Sequence, residues 1–394
     1  MDVTQAVLAA PSWRRSLRTA MPLPLVLLLI PAAFALLGLC LRYAAYASVA
    51  PDATLAGFPA GLCKWDCQWY VRLAEQGYDR FPVPSMINAG NWAFFPLMPM
   101  LVGALRMASG LPTMVVATAV SIVLSYLTAL AAWPLLQHNL RAYALFSAYL
   151  LSGPFSIYFT TFFTEAPFIL LIVCVFVALQ RSNYLAAGGF AALLSATRIV
   201  GVFIALAILL QALLEHRRGG GTLRGFVPAT IRRPDIVLGL VLAPLGLFAY
   251  MAFLHLWVGD ALAFSHVQRA WGRAPGNALG FLWSALSRGP ESGWWLSQSQ
   301  LLGIAVLAGV GLTGVLAWRR QYAAALFCAV CILLPMSAGM ASMLRFVAAL
   351  APLAIVAMLL LARWRPLFLA ALAGLCAADY FVTVAWLSRS LALV

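Results

Sequence analysis

The chain is a succession of long apolar runs broken by short polar connections. Runs able to cross about 30 Å of hydrocarbon at about 1.5 Å per residue lie near residues 22–42, 112–136, 142–159, 163–180, 236–257, 300–318, 321–339, 345–362 and 367–387. A further run, 184–214, is bracketed by Arg181 on one side and Arg217-Arg218 on the other. Both basic ends favour the cytoplasm, so this run must enter and return. It predicts two short helices or a re-entrant hairpin turning near Ser195-Ala196-Thr197-Arg198. The expected fold is an all-α polytopic membrane protein with about 11 crossings, within a range of roughly 10–12. Residues 1–394 form a single integral-membrane domain without internal repeats. The run from Met21 to Leu41 follows Arg14, Arg15 and Arg18 as a signal peptide would, but no small-residue cleavage site follows it, so it is expected to remain as the first span.

Two segments break the membrane pattern, residues 43–111 and 257–300, and a basic loop spans 215–235 with Gly219-Gly220-Gly221 as its linker. The first segment contains an apolar stretch, Phe94 to Met107, that reads as a helix lying on the membrane surface.

Composition agrees with the pattern: 64% of residues are hydrophobic and 9% charged, far from a soluble domain. The net charge of +14 would suit nucleic acid, but its distribution does not. The basic residues are nearly all arginines in short connections, at Arg217-Arg218, Arg224, Arg232-Arg233, Arg319-Arg320 and Arg363-Trp364-Arg365. That is the bias of cytoplasmic loops. It predicts a cytoplasmic N-terminus and places 43–111 and 257–300 on the opposite face; nucleic acid is not an expected partner.

Five cysteines, Cys40, Cys174, Cys328, Cys331 and Cys376, lie in apolar runs and behave as small hydrophobes. Cys63 and Cys67, four apart on an expected helix, are poorly oriented for a bridge and are expected as free thiols. Cys328-x2-Cys331 lacks the second ligand pair of a zinc site, and no carboxylate pair with metal-site spacing stands beside Asp66. A divalent metal is therefore not required.

Chemistry concentrates in four clusters. Drawn as a helix, residues 62–76 place Leu62, Trp65, Trp69 and Leu73 on one stripe, with Asp66 at its edge and Tyr70 one turn on. This predicts an interfacial helix holding a carboxylate above the lipid, where Asp66 either reaches a lipid-linked headgroup or pairs with Lys64 or Arg72. The second cluster runs from Ser152-Gly153-Pro154-Phe155-Ser156 to Thr164-Glu165, where Gly-Pro loosens a helix and Glu165 starts the next. The third is Gly259-Asp260 with Phe264, His266, Gln268, Arg269, Trp271 and Arg273, basic and aromatic groups suited to an anionic or sugar headgroup or else to a solvated helix face. Fourth are Arg198 and Arg345, at the mouths of apolar runs. An arginine there is costly, so a phosphate or an internal acid is its expected partner. With most acids in the outer segments, few partners are expected within the bilayer.

The ordered set Trp65-Asp66-x-x-Trp69-Tyr70 with Gly77-Tyr78, Phe94-Phe95-Pro96-Leu97-x-Pro99, Pro154-x-Ser156 with Thr164-Glu165, Arg198, Gly259-Asp260 with Phe264, Gln268 and Trp271, and Ser342-x-x-Arg345-Phe346 with Pro352 resembles the PIG-V-type mannosyltransferases. That resemblance implies the multi-span GT-C architecture and a polyprenyl-phosphate sugar donor. It implies an inverting transfer in which Asp66 accepts the proton of the acceptor hydroxyl. Arg198 and Arg345, with Arg269 and Arg273 as second choices, would balance the leaving phosphate, and Glu165 would orient the acceptor or the base. Trp65, Trp69, Tyr70, Asp260, Gln268 and Trp271 would complete the substrate site, with a glycan, lipid or protein as acceptor. The Arg/Ala-rich composition reads as bacterial, which would place the site on the periplasmic face of the inner membrane.

Two other classes share the general features. A lipid or solute transporter would also carry buried arginines, but on broken helices near the bilayer midplane. A non-catalytic scaffold would share the aromatic belt and survive loss of Asp66.

Overall fold

The computed structural model describes residues 22–85, 87–289 and 297–388. Among these the chain is helical throughout, and the only extended pairing is an isolated bridge between Val83 and Ala89. The helices, in order, begin with α1 (Leu23–Val49), α2 (Phe58–Gly61), α3 (Cys67–Gln76), α4 (Leu97–Ser109) and α5 (Thr113–Ala131). Next come α6 (Leu140–Leu151), α7 (Ser156–Thr160), α8 (Glu165–Gln180), α9 (Tyr184–Ser195) and α10 (Ile204–Arg218). Then follow α11 (Leu223–Ile231), α12 (Pro234–Leu242), α13 (Leu245–Val258), α14 (Ala263–His266) and α15 (Ala278–Ser287). The last are α16 (Gln298–Trp318), α17 (Tyr322–Met336), α18 (Met343–Ala348), α19 (Ala351–Leu361) and α20 (Arg365–Leu387).

Among the described residues, six helical stretches are long and apolar enough to cross a membrane: α1, α5, residues 199–218, the α12–α13 pair, α16 and α20. The chain is a polytopic integral membrane protein. The remaining expected crossings fall on shorter helices: α8 and α17 are continuous at 16 and 15 residues, and three other apolar runs are broken. The run 142–159 stops at Leu151, where Gly153-Pro154 ends α6 before α7 starts at Ser156. The run 345–362 divides at Ala349-Leu350. The run 184–214 turns at Ala196–Arg198, as its flanking arginines predict, and resumes through a 3-10 turn at Ile199–Phe203. The first span is longer than expected, carrying Arg42 inside α1, and the loop 215–235 is largely helical, with α10 ending at Arg218 and α11 beginning at Leu223.

Broken helices expose backbone carbonyls, which away from water must find partners inside the protein. Ser121 and Ser125 of α5 donate to Thr161 O and Phe159 O, each at 2.6 Å. Tyr149 donates to Ala348 O at 2.6 Å, and Ser195 accepts from Leu247 N at 3.2 Å where α13 restarts after Pro244. Close approach of helices does the rest. A Cβ on Gly188 would stand 2.3 Å from Gly239 O, so α9 and α12 meet backbone to backbone. α8 and α19 are buried on most of their surface, and around them sits the main core of Phe146, Phe168, Ile172, Phe327 and Ile355.

Candidate functional site

The helix breaks converge on one buried ionic cluster. Thr164 stands at the N-cap of α8, whose first residue is Glu165; Arg198 ends the turn after α9; Arg345 lies in the short α18; and Asp66 stands at the N-cap of α3. Arg345 joins two acids, with Nη1 2.9 Å from Asp66 Oδ2 and Nε 2.7 Å from Glu165 Oε1. Arg198 contacts Glu165 Oε1 through Nη2 and donates from Nε to Thr164 Oγ1 at 2.9 Å. The Arg345 N–H directions miss hydrogen-bond geometry, so its contacts are charge pairs. Arg198 Nη1 and Glu165 Oε2 are also buried without a hydrogen-bond partner among the described residues.

Exposure separates the two acids. The Glu165 side chain is 0% exposed and the Asp66 side chain 21%. Glu165 is thus a fixed counter-charge, while Asp66 keeps one side open to an incoming group.

A third arginine completes the cluster. Arg273, in the connection between α14 and α15, donates from Nη2 to Ser342 Oγ at 3.2 Å, and its guanidinium lies 5.7 Å from the Phe346 ring centre. Arg198 lies over the same ring at 5.2 Å. Burial, then the Arg345 charge, push Arg273 below the usual guanidinium range, and Asp66 pulls it back. Three arginines against two carboxylates leave an excess of one positive charge. Ser342 holds a left-handed backbone (φ 65°) at the entry to α18, which fixes where Arg345 and its own hydroxyl point.

Aromatic rings wall this centre. Trp69 stacks on Phe94 at 5.6 Å and meets Trp271 at 5.5 Å, and Phe94 meets Trp271 at 5.9 Å. The segments 43–111 and 257–300 therefore touch. Tyr70 packs on Phe94 and Phe162, with its hydroxyl 3.4 Å from Thr164 Oγ1, and burial raises it to about 12.

The expected site is only partly assembled. Asp66, Glu165, Arg198, Arg345, Arg273, Trp69, Tyr70 and Trp271 come together. Asp260 does not join them: it accepts from Leu262 N at 2.9 Å and stands 2.7 Å from His266 Nδ1. Gln268 donates to Phe264 O at 3.4 Å, and Arg269 is exposed.

Helix 62–76 is shorter than expected. It starts at Cys67, and Trp65 has a left-handed backbone (φ 54°) that turns its 40%-exposed indole off the stripe. Trp69 and Leu73 are buried in protein and do not face lipid headgroups. Cys63 and Cys67 are disulfide-bonded, not free, because the turn at Trp65 brings their Cα atoms to 5.3 Å. Nor are the buried arginines short of internal acids, since Glu165 serves both. Arg72 pairs with Asp79 at 2.7 Å, not with Asp66. No group of three potential metal-ligating side chains occurs among the described residues.

A second buried pair was not anticipated. Arg42 Nη1 on α1 contacts Asp379 Oδ2 on α20 at 3.1 Å and donates to Ser156 Oγ (2.6 Å) and Leu151 O (3.1 Å), and Ser156 donates to Asp379 Oδ1 at 2.8 Å. The signal was present: Asp379 stands inside an otherwise apolar run, where an acid demands a partner.

Compared with known proteins, the chain matches no protein-family model and no curated protein.

Proposed function

We propose that the protein is a membrane glycosyltransferase that moves a hexose, mannose by its resemblance, from a polyprenyl-phosphate donor to an acceptor hydroxyl with inversion. The observation that carries this reading is the partly open Asp66 carboxylate set against an arginine-rich, otherwise buried centre. In the transfer, Asp66 takes the proton from the acceptor hydroxyl as its oxygen bonds to the anomeric carbon. The bond from that carbon to the phosphate oxygen breaks, and the phosphate leaves with the electron pair. Arg273, Arg345 and Arg198 balance the charge on it. Glu165, too buried to touch substrate, positions Arg198 and Arg345. Trp271, the less buried of the two indoles, offers a ring face to the sugar, with Trp69 behind it. No step requires a metal.

By the distribution of arginines, the site faces the periplasm of a bacterial inner membrane, with about eleven crossings. The test is direct. Purified protein in lipid vesicles, given radiolabelled polyprenyl-phosphate mannose and cell lipids, should form a labelled product; no transfer to any acceptor fraction overturns the reading.

One observation favours a second reading. The cluster is built from helix breaks, the geometry in which transporters hold polar groups inside a membrane. In the same vesicles a lipid or solute transporter would move label across the bilayer without forming a new glycoside.

A further inference from the structure

We propose that a second site beside the Asp66 centre binds the acceptor, and that the acceptor headgroup is a phosphate-bearing polyol or sugar. The proposal rests on the transferase reading and deepens it. Arg80, Asn88, Trp92, Asp260, His266 and Val267 line a cleft of about 500 Å³, within the roughly 300–1,000 Å³ of small-molecule pockets.

Its chemistry selects the ligand. The exposed Arg80 carries its guanidinium carbon over the Trp257 ring, 4.3 Å from the ring centre, which restricts where the guanidinium sits. Among the described residues no carboxylate stands within ion-pair distance of Arg80. A planar guanidinium held this way suits the paired oxygens of a phosphate. Trp92 commits its indole N–H to Asp79 O at 2.7 Å, so what it can offer is an apolar ring, suited to the C–H face of a polyol. Asp260 already has its oxygens on Leu262 N and His266 Nδ1, which leaves the other imidazole nitrogen available to a ligand hydroxyl.

The cleft is coupled to the reacting centre through one turn of chain. In the 3-10 turn Val267–Trp271, Val267 and Ala270 line the cleft, whereas Trp271 packs on Trp69 and Phe94. Trp69 follows Asp66 by one turn of α3. The turn that lines the cleft is thus joined to the reacting centre through Trp271 and Trp69.

The experiment measures binding without donor or transfer, so it stands apart from the test of catalysis. Purified protein in nanodiscs of zwitterionic lipid is titrated with glycerol 3-phosphate, and in parallel with glycerol and with inorganic phosphate, by saturation-transfer difference NMR. Glycerol 3-phosphate should bind more tightly than either fragment. Arg80→Gln should weaken it by about tenfold, as loss of a charged hydrogen bond does, Arg80→Lys by less, and Arg273→Gln, on the side of the leaving phosphate, should leave it unchanged. Phosphatidylglycerol added to the nanodiscs should displace the probe if the source is a lipid headgroup, and leave it bound if the source is soluble. Binding that ignores Arg80→Gln, that glycerol matches, or that Arg273→Gln abolishes overturns the proposal. Binding with the expected profile in a protein that transfers no sugar keeps the cleft and removes the transferase reading.

Discussion

Arg345 stands 2.9 Å from the Asp66 carboxylate, joining the start of α3 to the short helix α18. The same guanidinium reaches Glu165 at 2.7 Å, so three segments far apart in the chain depend on one side chain. Removing it should leave Asp66 without its ion-pair partner and the buried Glu165 with Arg198 alone. Arg345→Gln is expected to cost about 3–5 kcal/mol, the usual penalty for breaking a buried pair. Arg345→Gln with Asp66→Asn should cost less than the two single changes summed, because each removes the same ion pair. Thermal unfolding in detergent checks this, and additive losses in the double variant would contradict the pairing.

The Arg42–Asp379 pair clamps the first and last described helices to the Gly-Pro break that precedes α7. Asp379→Asn and Arg42→Gln should each lower the melting temperature, and a double-mutant cycle should show coupling of at least about 0.5 kcal/mol, the lower end for residues in one network. Gly38→Ala should act on the same joint, because its new Cβ would fall 1.9 Å from Leu151 O. An alanine there that melts with the wild type would contradict the packing of α1 on α6.

The disulfide predicts a thiol count. Denatured but unreduced protein should react with maleimide at Cys40, Cys174, Cys328, Cys331 and Cys376. Reduction should add Cys63 and Cys67, seen as a mass increase of two further adducts. Seven adducts before reduction would show these cysteines free.

Orientation is open to labelling. Asn88 and Ala274 are exposed on the segments 43–111 and 257–300, and Leu223 is exposed at the start of α11. In a variant without other reactive thiols, cysteines at Asn88 and Ala274 should label in intact cells with an impermeant maleimide. One at Leu223 should label only after permeabilisation. The reverse pattern would turn the Asp66 centre to the cytoplasm.

Much of this was legible in the sequence, for identifiable reasons. An arginine beside an apolar run must be paired, which singled out Arg198 and Arg345; Glu165 stood out as the acid that opens a helix after the Gly-Pro break, and opposed basic flanks located the turn at Ala196–Arg198. Partner choice was not legible. Asp66 has Lys64 and Arg72 close in sequence, yet its partner comes from α18, because Arg72 is taken by Asp79. The bridge from Cys63 to Cys67 was hidden by assuming an unbroken helix where Trp65 takes a left-handed turn. Asp260, Gln268 and Arg269 share a loop with Arg273 and Trp271, but a short 3-10 turn sends neighbours to opposite sides, and spacing alone does not say which side faces the centre.

The central claim is that Asp66 is the base, and Asp66→Asn tests it most directly. The amide keeps the shape and removes the proton acceptor. With vesicles carrying labelled polyprenyl-phosphate mannose, transfer should fall by about 100-fold or more while donor binding changes little. Turnover within a few-fold of wild type, in a protein that still binds donor, would contradict it.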